Sequence, residues 1–139
     1  MKKKARWTVV KKNLSIGDVA REMGLPTNVL RHWETMKLLS PERDSGGRRR
    51  YDEDQIVRIA AIQRSKSAGM TLEQIGVMLD DGARERHQVL QQHLDDIDRR
   101  MEDMRRSRDM TEHAMNCRSH DIATCPRFRA GVEDVMARF

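Results

Sequence analysis

The sequence predicts a mainly α-helical protein that contains a winged helix-turn-helix domain, a long dimerising coiled-coil helix and a short C-terminal segment. Three observations support this fold class: two short amphipathic segments joined by Gly-Leu-Pro, a Gly-Gly hairpin flanked by arginines, and a later stretch with apolar residues every three or four positions. The chain has 139 residues, enough for one compact domain with an extension. We therefore divide it into a basic arm, the winged domain, the dimerisation helix and an effector segment, at residues 1–13, 14–83, 84–116 and 117–139.

The first helix is predicted from Ile16 to Met23, because its apolar residues share one face and Gly24 ends it. Ser15 is the expected N-cap, with Asp18 three residues later. A second helix is expected over residues 29–34, after a turn in which Thr27 or Asn28 caps the free backbone amides. Two short helices joined in this way can place the second helix in the major groove of DNA.

A hairpin is predicted next, with Gly46 and Gly47 supplying the positive backbone angles of its tip. Its arms carry four cations that can lie along a phosphate backbone: Arg43, Arg48, Arg49 and Arg50.

Two more helices are expected over residues 53–68 and 72–79. Asp52 with Gln55, and Thr71 with Gln74, are their expected N-cap and third-position pairs. Four apolar residues of this domain are assigned to its core: Leu30, Trp33, Ile56 and Ile59.

These segments carry a family resemblance in both order and spacing, over about half of the chain. The motifs are Ile16-Gly17-Asp18-Val19-Ala20, Leu30-Arg31-His32-Trp33-Glu34, Leu38-Leu39-Ser40-Pro41, Gly47-Arg48-Arg49-Arg50-Tyr51 and Gly69-Met70-Thr71-Leu72-Glu73-Gln74-Ile75. They resemble the successive signatures of the mercury-resistance regulator (MerR) family of bacterial transcription factors. That family usually has Arg-aromatic-Tyr-Glu in its second helix, whereas His32 and Trp33 occupy the middle places here.

The resemblance implies a homodimer that binds double-stranded DNA at an inverted repeat in a promoter. In the family, such dimers sit between two promoter elements that are spaced too far apart. Effector binding makes the dimer bend and untwist the DNA until RNA polymerase can use both elements. The residues that we expect to contact DNA lie in the second helix, the hairpin and the start of the first helix: Thr27, Asn28, Arg31, His32, Arg43, Arg48, Arg49, Tyr51 and Ser15.

Charge and composition agree with this interpretation. Residues 1–70 carry 16 Lys and Arg against 8 Asp and Glu, while residues 71–139 carry 11 against 14, so the positive field lies on the hairpin-bearing half. The basic arm can contact phosphates beside the main footprint, or it can be a solvated tail. No catalytic motif is present, so we expect no enzyme, and no apolar segment can span a membrane, so we expect a cytoplasmic protein.

A coiled-coil seam is predicted between residues 84 and 116, where spacings of four and three alternate. Its positions are Leu90, Leu94, Ile97, Met101, Met104, Arg108, Thr111 and Met115. A lone helix cannot bury such a seam, so we expect an antiparallel homodimer, which the resemblance also implies. The alternative is a single helix folded back on its own domain.

The expected effector segment contains both cysteines of the chain, Cys117 and Cys125, with seven residues between them. This spacing, with Asp-Ile-Ala-Thr-Cys-Pro at its end, is similar to the metal loop of the copper-responsive branch of the family. Two thiolates suit Cu(I). His113 and His120 add two imidazoles, so a tetrahedral Zn(II) site is also chemically compatible.

Three alternatives remain open at this point. The cysteines can form a reversible disulfide as a redox switch, with Arg118 as the one nearby residue that lowers a thiol pKa. They can be inert residues of a small helical cap. The protein can also be an architectural DNA-binding factor that senses no effector.

Overall fold

The computed structural model describes residues 13–139. These residues divide into two units, a head that ends at Leu90 and a tail that comprises Gln91–Phe139. The predicted basic arm lies outside the described residues, apart from Asn13. Within the described residues, no helix is both long enough and apolar enough to cross a membrane.

The head contains three short strands and four helices, followed by the start of a fifth helix. In chain order they are β1 (Leu14–Ser15), α1 (Ile16–Met23), α2 (Thr27–Thr35), β2 (Glu42–Arg43), β3 (Arg49–Tyr51), α3 (Glu53–Ser67), α4 (Leu72–Leu79) and α5 (Arg86–Asn116). The tail contains the rest of α5, a 3₁₀ turn (Ile122–Thr124), α6 (Pro126–Gly131) and α7 (Glu133–Met136). This architecture confirms the predicted mainly helical fold class.

Helix α1 begins and ends where the sequence predicts. The Ser15 hydroxyl accepts a hydrogen bond from the Asp18 amide at 3.1 Å, and the Asp18 carboxylate accepts in return from Ser15. These bonds satisfy amides that the first turn of a helix leaves free, and they hold the pKa of Asp18 below its usual value. Gly24 ends the helix in the left-handed region, at φ 64°.

Helix α2 is longer than predicted at its start, which corrects the expected capping. Its N-cap is Pro26, and no side chain forms a cap hydrogen bond. Thr27 and Asn28 are already helical, since the extended backbone of Pro26, at φ −64° and ψ 144°, leads directly into the first turn. The proline ring fixes the first of these two angles. Neither side chain caps the helix, and of the two only Asn28 is exposed.

A three-stranded antiparallel sheet, in the order β1-β3-β2, supports the hairpin. Leu14 pairs with Tyr51 on one side of β3, and Arg43 pairs with Arg49 on the other. The sequence indicates the β2–β3 hairpin but not β1, whose two residues are too few for an alternating pattern. Only Gly47 of the glycine pair has a positive φ, 75°, so the expectation for Gly46 is wrong.

Helices α3 and α4 begin at the predicted caps, but the two caps differ. Thr71 and Gln74 form the reciprocal capping box. Asp52 accepts from the Gln55 amide at 2.9 Å, whereas the Gln55 side chain accepts from the Ser40 backbone at 3.1 Å. Gln55 thus holds the loop between α2 and the hairpin instead of closing its own cap.

One apolar core fills the head. Its buried side chains are Val19, Leu30, Trp33, Leu38, Leu39, Tyr51, Ile56, Ile59, Ile62, Met70 and Ile75. They include all four residues that the sequence assigned to the core. Arg58 and Gln63 of α3 add polar support, donating to the carbonyls of Leu38 at 2.6 Å and Met23 at 3.0 Å. The shared core holds α2 and the hairpin strand β3 against each other, and the Arg58 bond supports the segment between them.

Candidate nucleic-acid interface and cysteine cluster

Helix α2 presents one polar face to solvent. Asn28, Arg31 and His32 are exposed, whereas Leu30 and Trp33 on the opposite side are buried. Side chains three and four residues apart share one face of a helix, so the exposed set forms a continuous surface. Amide, guanidinium and imidazole groups are the donors that read base edges in the major groove, and the structure brings these three predicted residues together.

The hairpin tip is fastened by one carboxylate. Asp44 accepts from the amides of Gly46 at 2.9 Å and Arg48 at 3.0 Å, and its own amide donates to the Arg48 carbonyl at 2.9 Å. The Arg48 amide is the main reason why the pKa of Asp44 is lowered. The tip is therefore held rigidly, while the Arg48 side chain itself is exposed.

The hairpin arginines do not all offer a free charge. Glu34 of α2 forms ion pairs with Arg49 and, at 3.7 Å, with Arg43. Arg50 pairs with Asp44 at 3.0 Å. Within residues 13–139, the Arg48 guanidinium has no ion-pair partner. Arg48 is therefore the most available cation of the hairpin. Arg49 instead links the hairpin to α2 through Glu34, a role that the sequence did not indicate.

Tyr51 lies in the core instead of on the hairpin surface. Its side chain is 0% exposed, and its hydroxyl has no hydrogen-bond partner among the described residues. Burial, and then the Glu34 carboxylate, raise the pKa of this phenol. The expected phosphate contact needs an accessible hydroxyl, so the placement of Tyr51 is a correction to the sequence-based interpretation.

Ser15 and Thr27 occupy less accessible places than the α2 face. The Ser15 hydroxyl donates to Asp18 at 2.8 Å and accepts from its amide, so its bonding capacity is used within the α1 cap. Thr27 is half-buried in the first turn of α2. Neither side chain is presented to solvent as Asn28 and Arg31 are.

The tail brings three of the four predicted metal ligands together. The ligand atoms of His113, Cys117 and Cys125 all lie within 4.8 Å of one another. The His113 Nε2 atom is 3.2 Å from the Cys125 sulfur. Cys125 is buried and Cys117 half-buried. His120 is exposed and lies outside this group.

Cys125 is also the N-cap residue of α6, with Pro126 at the first helical position. The Cys125 sulfur forms no cap hydrogen bond of ordinary geometry, but the Phe128 amide is the largest influence that lowers its pKa. The sequence indicated only Arg118 as a nearby group that lowers a thiol pKa, so the effect of the Phe128 amide on Cys125 is a correction. The Cys-Pro dipeptide is the sequence signal for it, because proline favours the first turn of a helix.

The donor set fits a metal ion. Metal–sulfur and metal–nitrogen bonds of about 2.3 and 2.0 Å place ligand atoms of one shell roughly 3.5–4.6 Å apart, depending on the angle between them. The observed limit of 4.8 Å and the 3.2 Å contact require only small adjustments. Thiolates are ligands that the soft ion Cu(I) prefers, and thiolates with imidazole suit the borderline ion Zn(II).

The predicted seam of α5 remains uncovered in the single chain. No residue of this helix is buried, and the Leu94, Met101, Met104 and Met115 side chains are 54%, 64%, 71% and 81% exposed. Leu90 and Ile97 are half-buried, while Arg108 forms an ion pair with Glu112 at 3.2 Å. An apolar stripe of this kind on a 31-residue helix is typical of a surface that a second helix covers.

Comparison with known proteins agrees on one family. The family model described as "MerR HTH family regulatory protein" matches residues 14–82, and the one described as "MerR, DNA binding" matches residues 56–113. The mercuric resistance operon regulatory protein of Bacillus cereus is 31% identical over 120 residues, covering 80% of this chain and 91% of that protein. The transcriptional regulator HmrR of Rhizobium leguminosarum is 28% identical over 120 residues, covering 81% and 93%.

Structural comparison gives the same fold. The crystal structure of HiNmlR, a MerR family regulator lacking the sensor domain and bound to promoter DNA, matches with a TM-score of 0.63 and 22% identity. The match covers 75% of this chain and 88% of that one. Both relatives above are named as regulators and not as enzymes.

Proposed function

Because this chain belongs to the MerR family of helix-turn-helix transcriptional regulators, we propose that it acts as a homodimer on a promoter inverted repeat and responds to a metal ion held by Cys117 and Cys125. A transcriptional regulator of this bacterial family has to reach promoter DNA, so we propose that it lies in the cytoplasm.

The observation that carries the DNA-binding proposal is the rigid surface formed by α2 and the hairpin. Asn28, Arg31 and His32 supply groups that can read bases, and Arg48 supplies a cation for the phosphate backbone. The Glu34 ion pairs with Arg49 and Arg43 hold the two parts together. In this proposal Arg49 and Arg43 orient the surface as well as adding positive charge.

Salt dependence of binding tests this assignment. Each phosphate contact contributes about 0.9 to the slope of log affinity against log salt. We expect Arg48→Ala to lower the slope by about that amount on a DNA fragment that contains the inverted repeat. Arg64→Ala, which removes an exposed cation from α3 outside the proposed surface, is the matched control. An Arg48 variant with the slope of the control would remove Arg48 from the contact set.

Dimerisation is proposed from the α5 seam, with the two helices antiparallel. The pair then holds two heads at a fixed separation, which matches the two halves of an inverted repeat. We propose that effector binding makes the dimer distort the promoter so that RNA polymerase can use it. Bending a site of 20–30 base pairs costs about 1–6 kcal/mol, a range that binding of an effector can supply.

The metal response is proposed from the proximity of the two thiols and the imidazole of His113. Replacing Cys117 and Cys125 together by Ser should abolish the metal-dependent change in transcription and leave operator affinity unchanged. In vitro transcription and DNA binding, both under anaerobic conditions, measure the two quantities separately. A double variant that still responds to metal would place the sensor elsewhere.

The proximity of the same two sulfur atoms also favours a second candidate, a Cys117–Cys125 disulfide that switches the regulator. Oxidation by a peroxide, followed by mass measurement and transcription, distinguishes it from metal sensing. Transcription that stays constant under every metal and oxidant, with intact DNA binding, would favour an architectural role.

A further inference from the structure

The metal-ligand cluster draws its donors from different parts of the tail. His113 lies in the last turn of α5, which ends at Asn116, and Cys117 follows that end directly. Cys125 lies eight positions later in the chain and begins α6. Helix α6 also packs closely on α5, since a side chain at position 131 would come within 3.3 Å of Met110. The imidazole is thus the donor that comes from within the long helix.

The position of His113 is specific. Its Nε2 atom lies 3.2 Å from the Cys125 sulfur, although the two residues are twelve positions apart. An imidazole and a thiolate bound to one tetrahedral ion lie about 3.5 Å apart, given bonds of about 2.0 and 2.3 Å. His120 lies nearer to Cys125 in sequence but is exposed and outside the cluster. Folding, and not sequence proximity, therefore selects one histidine of the two.

We infer that His113 is the third protein ligand of the metal site, which then binds a divalent ion of the zinc class through one imidazole and two thiolates. The fourth position remains for water or an exogenous ligand. This inference rests on the proposed function, which assigns metal binding to Cys117 and Cys125, and it adds the ligand that determines which class of ion is held.

Charge supports a divalent ion. Two thiolates and a dication sum to zero, whereas two thiolates and a monovalent ion leave one negative charge at a site that includes the buried Cys125. Burying a net charge is costly, so the neutral combination suits this environment better. A two-coordinate monovalent ion would be bound by the two thiolates alone and would not need the His113 imidazole, although this imidazole lies against the Cys125 sulfur.

The third ligand has a mechanical consequence. With the cysteines alone, an ion would close only the loop between residues 117 and 125. With His113, the same ion ties the last turn of α5 to the start of α6. Occupancy of the site then restricts α6 relative to the helix that carries the proposed dimer seam, and so links the effector to dimer geometry.

Metal titration of the full-length protein under anaerobic conditions tests the inference. Zn(II) affinity is measured by competition with a chelator, Co(II) serves as a spectroscopic probe of the ligand set, and Cu(I) affinity is measured in parallel. The variants are His113→Ala, the matched control His120→Ala, the rescue variant His113→Cys and the double variant Cys117→Ser/Cys125→Ser. Circular dichroism verifies that each variant keeps its helix content.

We expect His113→Ala to weaken Zn(II) binding at least about 100-fold, beyond the roughly 10–100-fold loss typical of outer-shell partners. Cu(I) affinity should change less than about 3-fold, because two-coordinate Cu(I) needs only the thiolates. His120→Ala should match the wild type, and His113→Cys should restore Zn(II) binding with a stronger thiolate-to-cobalt absorption band.

Two results have separate meanings. If His113→Ala leaves Zn(II) affinity and the Co(II) spectrum unchanged while the double cysteine variant loses metal, the inference on His113 is wrong and the proposed cysteine site stands. If the double cysteine variant also keeps wild-type metal binding, the proposed metal function itself fails.

Discussion

The head and the tail hold their apolar side chains in contrasting ways. In the head, Val19, Leu30, Ile59, Ile62 and Ile75 are 0% exposed, and they pack in one continuous cluster. Among the described residues of the tail, only Cys125 is buried, and its apolar residues are largely in solvent. Within one chain, the described residues of the head therefore form an apolar core, whereas the described residues of the tail do not.

This contrast indicates that the head and the tail have different roles. A rigid head presents a constant surface, and the burial of its core provides its stability. In the proposed function, the tail gains stability from a second α5 helix and from an ion at the His/Cys cluster. A unit that is completed by binding is well placed to respond to what it binds.

The largest effect should come from the head core. Ile59→Ala removes a fully buried side chain, so we expect it to lower the free energy of unfolding by about 2–5 kcal/mol. Val57→Ala, at a position on the same helix that is 58% exposed, should change it by less than about 0.5 kcal/mol. Urea denaturation followed by circular dichroism measures both. Equal losses would show that the head does not depend on this core.

Metal should stabilise the tail and leave the head unaffected. At a free concentration 100 times the dissociation constant, an ion that binds only the folded site adds about 2.7 kcal/mol. Hydrogen exchange with and without Zn(II) should show increased protection near residues 113–128 and unchanged protection in α3. Protection that rises equally in both units, or persists in the double cysteine variant, would contradict this separation.

Dimerisation should depend on the α5 seam. Leu94→Asp removes an apolar contact worth about 1.5–3 kcal/mol when buried and places a charge there, so we expect the dimer to weaken at least about 10-fold. Gln92→Asp adds the same charge to an exposed position of the helix outside the seam and is the control. Sedimentation equilibrium measures both variants. If the two variants associate equally well, the α5 seam does not form the proposed interface.

The smallest effect concerns helix caps, which also differ between the units. In the head, Ser15, Asp52 and Thr71 cap three of the first four helices, all but α2, whereas neither α6 nor α7 has a side-chain cap hydrogen bond. We expect Thr71→Ala to lower head stability by about 1 kcal/mol, and Thr71→Ser, which keeps the hydroxyl, to lower it less. Thermal unfolding of the two variants provides the comparison. Equal loss in both would show that the hydroxyl is not the stabilising group.

Local signals in the sequence predicted most of the head. Ser15 and Thr71 marked two helix starts, because their hydroxyls act within three residues of themselves. The β1–β3 pairing was not predictable, since Leu14 and Tyr51 meet only after the chain between them has folded. The same reason explains Gln55, whose side chain reaches Ser40 instead of its local cap.

In the candidate sites, too, local features were predictable from the sequence, whereas contacts between distant residues were not. The exposed face of α2 was predictable from helical periodicity, which places Asn28, Arg31 and His32 opposite Trp33. The ion pair between Arg49 and Glu34 was not, because it joins residues fifteen positions apart. In the tail, the cysteine spacing indicated the cluster, but only the fold distinguishes His113 from His120.

Arg48, Arg49 and Arg50 are neighbours in sequence with three different surroundings. Solvent surrounds the first, Glu34 holds the second and Asp44 holds the third. Tolerance to lysine should therefore differ along this short run. Lysine at position 48 keeps a mobile positive charge, whereas at position 49 it loses the planar fork that a carboxylate recognises. Among natural variants, we therefore expect lysine to replace arginine more often at position 48 than at position 49, although the same residue type occupies both positions here.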